Sequence, residues 1–564
     1  LKPFWLRRVP PISRLSFLRW GIFSCSMGTG ASAGLSECLN AASPQELREC
    51  AEALPEAERA KLSRVLAGGA DVGRLPLGLQ HMASWQCTRS FDQARPVPKK
   101  MVLDILECSR SLPTSANTQP WTIIVVEGDA RNKLSKKMAA KFDAGDDGKS
   151  QYVERPSDSL PRMDEATADY ERRLYEDHFN LAPDDKAGRR AKDRQNCEFW
   201  GAPIHLILCS PYKQTVEDGV DGIPLDMGTL LTAILFAAHS YGLGSIPQFT
   251  TARYHDCCRE VLGNDTLPDD LMVTCGLSIG WPTGGRDPRA HAEFVPKKLS
   301  VADVTNWSQC DTSWLTANAG AAGDGKDHTL IKLIQGRHCS HTLEAGRSVS
   351  KDILHAILDA ACNAHSIDNS QPWSVTVVQG AKRDELSKRM LEQFDAGFNG
   401  GQTYKKYAAE NTPQMQKGKD TYGQELYEKK HGLARDDVDG RRLKYRPNYE
   451  FWGAPLVLLL KLPKKAVSGT FIDIGSFMYS ILLAMHAYGL GGKPLGSTAK
   501  YTDICREVLG IDAVPEHEHL ICGLCIGWPT DGRDPREMPD FFPSRLTLQE
   551  TCRWDVDSSW SAQA

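Results

Sequence analysis

Asn117-Thr118-Gln119-Pro120-Trp121 returns 252 residues further on as Asn369-Ser370-Gln371-Pro372-Trp373. Two more landmarks keep that interval. Phe142-Asp143-Ala144-Gly145 returns as Phe394-Asp395-Ala396-Gly397, and Phe199-Trp200-Gly201-Ala202-Pro203 as Phe451-Trp452-Gly453-Ala454-Pro455. Further along the interval is 247: Tyr241-Gly242-Leu243-Gly244 pairs with Tyr488-Gly489-Leu490-Gly491, and Ile279-Gly280-Trp281-Pro282-Thr283 with Ile526-Gly527-Trp528-Pro529-Thr530. One short deletion after the apolar run at 204–209 accounts for the change. Solenoid units run to roughly 20–50 residues, so a period this long is a duplicated domain.

The 564 residues divide accordingly into copies at 81–315 and 328–564. A linker at 316–327, rich in Gly, Ala, Asn and Asp with little to bury, joins them. Ahead of the copies lie a tail, 1–35, and an extension, 36–80, where Ser43-Pro44-Gln45-Glu46 reads as a capping box opening a short helical hairpin. Two readings of the tail exclude each other. Arg7, Arg8, Arg14 and Arg19 with no acid suit a transit peptide, whereas Met27-Gly28-Thr29-Gly30-Ala31-Ser32 matches N-myristoylation at Gly28, which would hold the chain at a membrane only marginally. A third reading makes the upstream stretch no part of the translated protein. A cytoplasmic location is expected, with organellar targeting and myristoylation open.

Hydrophobic residues at 41% and charged residues at 24% describe an ordinary folded chain. A net charge of −4 leaves no footprint for nucleic acid, and no apolar run is read as reaching the ~18 residues of a membrane span. The seventeen cysteines sit singly in apolar segments and read as reduced core residues. No metal site is expected: Cys522 and Cys525 lie in a strand, and His517-Glu518-His519 has no second ligand cluster.

Each copy has the same pattern. Helical spacing runs through Met101, Ile105 and Cys108, and through Ile353, Ile357, Leu358 and Ala361. The runs 121–126, 204–209 and 272–280, with their partners 373–378, 456–460 and 520–527, read as buried strands, and 225–241 and 472–488 as core helices. Asp226 and Asp473 are expected to cap those helices. Few strands, several helices and no regular βαβ alternation predict an α+β fold.

In this order the motifs resemble the flavin-dependent nitroreductases, over about 84–307 and 337–554. That family opens with Arg-Arg-Ser-x-Arg-x-Phe, follows with Pro-Ser-x-x-Asn-x-Gln-Pro-Trp, and closes its core helix with Gly-Leu-Gly. The Arg- and Tyr-rich insert before Phe-Trp-Gly-Ala-Pro, with Pro247-Gln248 after the glycines, is most similar to its nitrobenzoate-reductase branch. The resemblance implies two tandem α-β-α domains paired as an intramolecular pseudo-dimer, with FMN at the interface, one or two per chain. It further implies NADH or NADPH as donor and a small-molecule acceptor. It places Arg89, Gly244, Lys297 and Lys298 with Ser366 and Asn369 at one flavin, and Arg337, Gly491, Gly492 and Arg545 with Thr114, Ser115 and Asn117 at the other.

Those residue types suit the cofactor. Arg grips a phosphate dianion with paired N–H groups and Lys neutralises it as a point charge. Asn both donates and accepts, as the ring edge requires, and glycines admit backbone N–H groups close to the ring. No catalytic side chain is implied, because the flavin carries the redox chemistry. Each copy departs from the pattern. Trp85-Gln86-Cys87-Thr88-Arg89 lacks the leading arginines, Arg337-His338-Cys339-Ser340-His341 has His at the second, and His365-Ser366 stands where Pro113-Thr114 does. One intact and one weakened flavin site is the expectation. As isolated residues, the asparagines are turn formers, the arginines surface charges and the glycines helix ends. Two other functions stay open: dehalogenation or flavin modification, with inserts 151–193 and 403–446 as a lid, and a non-catalytic platform that has lost its flavin.

Overall fold

The structure, a computed structural model, describes residues 75–311, 329–398, 400–401 and 404–555. The tail, nearly all of the helical extension and the linker lie outside the described residues. Contacts gather 76–564 into one unit, so the two copies are not separate bodies.

Each copy supplies four strands to a five-stranded sheet. In the first these are β1 (Thr122–Glu127), β2 (Ile204–Pro211), β3 (Gly244–Gln248) and β4 (Leu271–Gly280). In the second they are β6 (Ser374–Gln379), β7 (Leu456–Pro463), β8 (Gly491–Leu495) and β9 (Glu518–Gly527). The fifth strand of each sheet belongs to the other copy. β5 (Thr305–Gln309), at the end of the first copy, pairs parallel with β6, and β10 (Cys552–Asp555), at the end of the second, pairs parallel with β1. The orders are β10-β1-β2-β4-β3 and β5-β6-β7-β9-β8. All eight residues of β2 and of β7 are buried, because helices cover both faces of each sheet.

The inner faces meet at two core helices, α1 (Gly222–Ser240) and α2 (Ser468–Ala487). Both are apolar nearly all round and, contrary to the reading of the sequence, long enough to span a bilayer, yet 94% of each apolar window is buried inside the protein. They cross through glycine: a Cβ on Gly228 would overlap the Ile472 carbonyl and one on Gly475 the Leu225 carbonyl, and Ser476 Oγ donates to the Gly228 carbonyl at 3.2 Å. On the outer face Val378, Val457 and Leu459 pack with Met390, Phe394, Tyr501 and Ile504.

Two expectations change here. Asp226 and Asp473 lie inside the core helices and do not cap them. Each instead accepts a loop N–H of its own copy, Asp226 from Ser115 at 3.1 Å and Asp473 from Ile367 at 2.9 Å. The glycines after the core helices begin edge strands, where Pro247 and Pro494 leave no central ladder bond unmade.

Candidate functional site

The Asn-x-Gln loops are held by conformation first. Asn117 and Asn369 have φ of 62° and 57°, and Gln119 and Gln371 of 46° and 47°, a left-handed region that Asn tolerates better than most residues. Thr114 Oγ1 and Ser366 Oγ accept the backbone N–H of Gln119 (3.2 Å) and Gln371 (3.1 Å).

Each loop then clasps the arm arriving from the other copy. Gln119 Oε1 accepts Leu546 N–H at 3.0 Å and Asn117 Nδ2 donates to the Ser544 carbonyl at 3.1 Å. Symmetrically, Gln371 Oε1 accepts Leu299 N–H at 2.8 Å and Asn369 Nδ2 donates to the Lys297 carbonyl at 2.9 Å. The inserts reach across as well: Arg162 donates to the carbonyls of Gln371, Pro372 and Trp373, and Gln414 to those of Gln119 and Trp121. The asparagine amides are thus committed largely to protein. Asn117 Oδ1 accepts from Arg545, whereas Asn369 Oδ1 is buried with no partner.

Beside the clasped loops lie two cavities. One, of about 490 Å³, is lined by Arg89 and Lys298 of the first copy with Ser366 and Asn369 of the second. The other, of about 260 Å³, is lined by Arg337 and Arg545 with Thr114, Ser115 and Asn117. The structure thus brings these side chains together in the two groups that the resemblance implied. Gly244, Lys297, Gly491 and Gly492 do not line either. Protein neighbours explain the glycines: a Cβ would lie 2.6 Å from Thr88 Oγ1 at Gly244, 2.5 Å from Ser340 Oγ at Gly491, and 2.7 Å from Met485 Cε at Gly492.

The smaller cavity is cationic. Arg337 is 1% exposed and donates to the Ser111 carbonyl at 3.1 Å, while its Nε has no partner. Arg545 Nε is likewise buried without a partner. Burial, with a further contribution from the charge of Arg337, lowers the Arg545 pKa to about 10. Lys406 and Lys493 line the same wall, Lys493 standing 4.5 Å over the Trp452 ring. Reading the sequence missed both lysines, although the offsets were a signal: they stand at the places of Glu154 and Ile246. Among the described lining residues Asp226 is the one acid, and burial raises its pKa to about 8. His341 sits against Asp540, whose carboxylate accepts the His341 N–H at 2.9 Å.

The larger cavity has another character. Arg89 is 8% exposed, donates to Tyr170 Oη at 2.7 Å and leaves Nη1 unpartnered. Burial lowers the Lys298 pKa to about 8, and Lys298 donates to the Ala364 carbonyl at 3.0 Å. Trp85 stands where the second copy has Arg337, its ring centroid 6.5 Å from that of His365, which stacks on Phe249 at 5.8 Å. Insert residues wall both cavities, Tyr170, Tyr175 and Phe179 in one and Tyr422, Tyr427 and Tyr445 in the other.

Two α-β-α units that exchange their last strands and enclose paired cavities between them define a fused dimer. The model of the nitroreductase family matches residues 82–281 and 334–528, and the chain belongs to that family. It is 27% identical to a 4-nitrobenzoate reductase of Nocardioides sp. (strain LMS-CY), over 40% of this chain and 90% of that protein. With a chloronitrobenzene nitroreductase of Comamonas testosteroni it shares 31% identity, over 33% of this chain and 79% of the relative. Among solved structures, the FMN and NADPH-dependent nitroreductase NfnB of Sphigopyxis sp. strain HMH matches with 27% identity and a TM-score of 0.36, covering 41% of this chain and 98% of that one. Each of the two sequence relatives thus matches a stretch no longer than one copy of the repeat. Lys298 and Arg545 lie beyond the matched stretches, on the exchanged arms.

Proposed function

We propose that the chain is an FMN-dependent NAD(P)H oxidoreductase that reduces nitroaromatics, quinones or similar planar acceptors. Membership of the nitroreductase family and the printed activities of its relatives support the class. The observation that carries it to this chain is the pair Arg337 and Arg545, drawn from opposite ends of the second copy, each with a buried Nε unpartnered. Two like charges withdrawn from water are costly without an anion between them, and a flavin phosphate is a dianion of the right kind. In this reading Arg337 and Arg545 hold the phosphate, and Lys406 and Lys493 add positive potential along the cavity. Tyr422, Tyr427 and Trp452 supply flat walls that keep water off the ring. A bound flavin supplies the hydride-accepting and hydride-donating centre.

One cavity serving donor and acceptor in turn predicts ping-pong kinetics. Steady-state rates with NADPH and menadione should give parallel double-reciprocal lines, and intersecting lines would argue against a shared pocket. Protein that purifies colourless and stays so after incubation with FMN would overturn the enzymatic reading in favour of a binding platform.

A further inference from the structure

The repeat allows each cavity to be read against the other, position by position. Arg337, Lys406 and Lys493 of the smaller cavity correspond to Trp85, Glu154 and Ile246 in the first copy. Glu154 is turned away into an ion pair with Arg253. Among the described lining residues, the smaller cavity carries five Lys and Arg against Asp226 alone. The larger carries five Lys and Arg against Asp147, Glu171, Asp193 and Asp368. A dianion gains far less from the second arrangement than from the first, since opposite charges nearby cancel most of the local potential.

The larger cavity has nevertheless not been filled in. It has the greater volume, an aromatic panel of Trp85, Phe249 and His365 at the place of Arg337, Gly496 and Pro113, and one deeply buried guanidinium with a free N–H. Arg89 has no counterpart across the repeat, where His341 stands. Asn369 Oδ1, buried and unpartnered on the same lining, adds a waiting acceptor. A guanidinium in an aromatic enclosure matches a flat ring that bears one carboxylate: the ring stacks, and two N–H groups grip the carboxylate.

We propose that the two cavities have divided their work: the Arg337–Arg545 cavity holds the phosphorylated flavin, and the Arg89 cavity is a separate site for a planar aromatic monocarboxylate, with Arg89 as the carboxylate partner. The first half of this statement rests on the function proposed above; the second does not.

The experiment uses the full chain saturated with FMN and then desalted. Acid-released flavin should amount to one per chain. The flavin-loaded protein is titrated calorimetrically with 2-naphthoate, for which one saturable site is expected. Arg89→Met should weaken it at least tenfold and Arg89→Lys by less, while the neutral analogue 2-naphthamide binds at least tenfold more weakly to the unaltered protein. Thermal melting of both variants with FMN bound checks that the fold persists. Two flavins per chain would overturn the division of work. So would 2-naphthoate binding that ignores Arg89→Met or that vanishes when FMN is loaded. A chain that takes up no FMN yet binds 2-naphthoate through Arg89 would overturn the flavin assignment and leave the Arg89 site standing.

Discussion

The two cavities of this chain share one plan and differ in charge. Both are framed by a left-handed Asn-x-Gln loop from one copy and an arm from the other, and in both the glutamine holds that arm through a backbone N–H, Leu546 in one case and Leu299 in the other. What differs is what the frame presents. On one side are Arg337, Lys406, Lys493 and Arg545, and on the other Trp85, Ile246 and Lys298, with Glu154, at the place of Lys406, turned away to Arg253. Gene duplication within one chain permits this, because an intermolecular homodimer must repeat every substitution at both interfaces and a fused one need not. The shared scaffold is the part where a change in either copy is felt by both cavities.

Four measurements would break or sharpen the contrast, taken from the largest expected effect to the smallest. Arg545→Gln should weaken FMN binding roughly 10- to 150-fold, the loss of one or two charge-assisted bonds worth about 1.5–3 kcal/mol. Lys298→Gln, at the matching place, should change flavin affinity by less than twofold. Fluorescence quenching of FMN during titration reads both, and equal effects would erase the contrast. Next, Gly228→Ala pushes a methyl against the Ile472 carbonyl at the helix crossing and should cost about 1–3 kcal/mol in chemical denaturation. Because α1 belongs to one copy and α2 to the other and they cross where the copies meet, 2-naphthoate and FMN affinities should fall together.

A third comparison sets Gln119→Ala against Gln371→Ala. Each leaves one arm N–H without its acceptor, at about 1–2 kcal/mol. The first should loosen Arg545 and flavin, the second Lys298 and naphthoate, a crossed pattern that a purely local role would not produce.

Last is the pH dependence of stability. Burial raises the Asp226 pKa to about 8, so the folded state keeps a proton that the unfolded chain releases near the ordinary carboxylate value. Its contribution is complete at low pH and is lost as pH rises towards 8, with a slope of at most about 1.4 kcal/mol per pH unit. Asp226→Asn keeps an acceptor for Ser115 N–H and should flatten that part of the urea-midpoint profile between pH 5 and 8. An unchanged slope would show that Asp226 is ionised when folded.

Much of the site could be read from the chain because the repeat does the work of an alignment. Once Asn117 and Asn369 are matched, so are Arg89 with His341 and Lys298 with Arg545; that each loop lies beside residues of the other copy was implied only by the resemblance to the nitroreductases. The errors have physical causes. Gly244, Gly491 and Gly492 looked like openings towards a ligand, but a missing Cβ is equally required where Thr88, Ser340 or Met485 packs close. Strands β3 and β8 were hidden because Gly and Pro depress strand propensity, and only an edge position accommodates them. Asp226 and Asp473 resembled helix caps, since a carboxylate near a helix start ordinarily is one; a tertiary contact with Ser115 and Ile367 claims them instead. Lys406 and Lys493 sat in unremarkable segments whose place on a wall is set by packing.

By itself the amino-acid order determined the duplication, the α+β elements of each copy, the turns at the asparagines and the residue types matched between the copies, because periodicity, turn chemistry and charge are local properties of a chain. The tertiary structure alone decided that β5 and β10 change sheets, that the loops and arms lock through Gln119 and Gln371, and that one cavity sets its cations against Asp226 alone while the other nearly balances them. Those outcomes depend on residues hundreds of positions apart meeting within hydrogen-bond distance, and no local pattern encodes such a meeting.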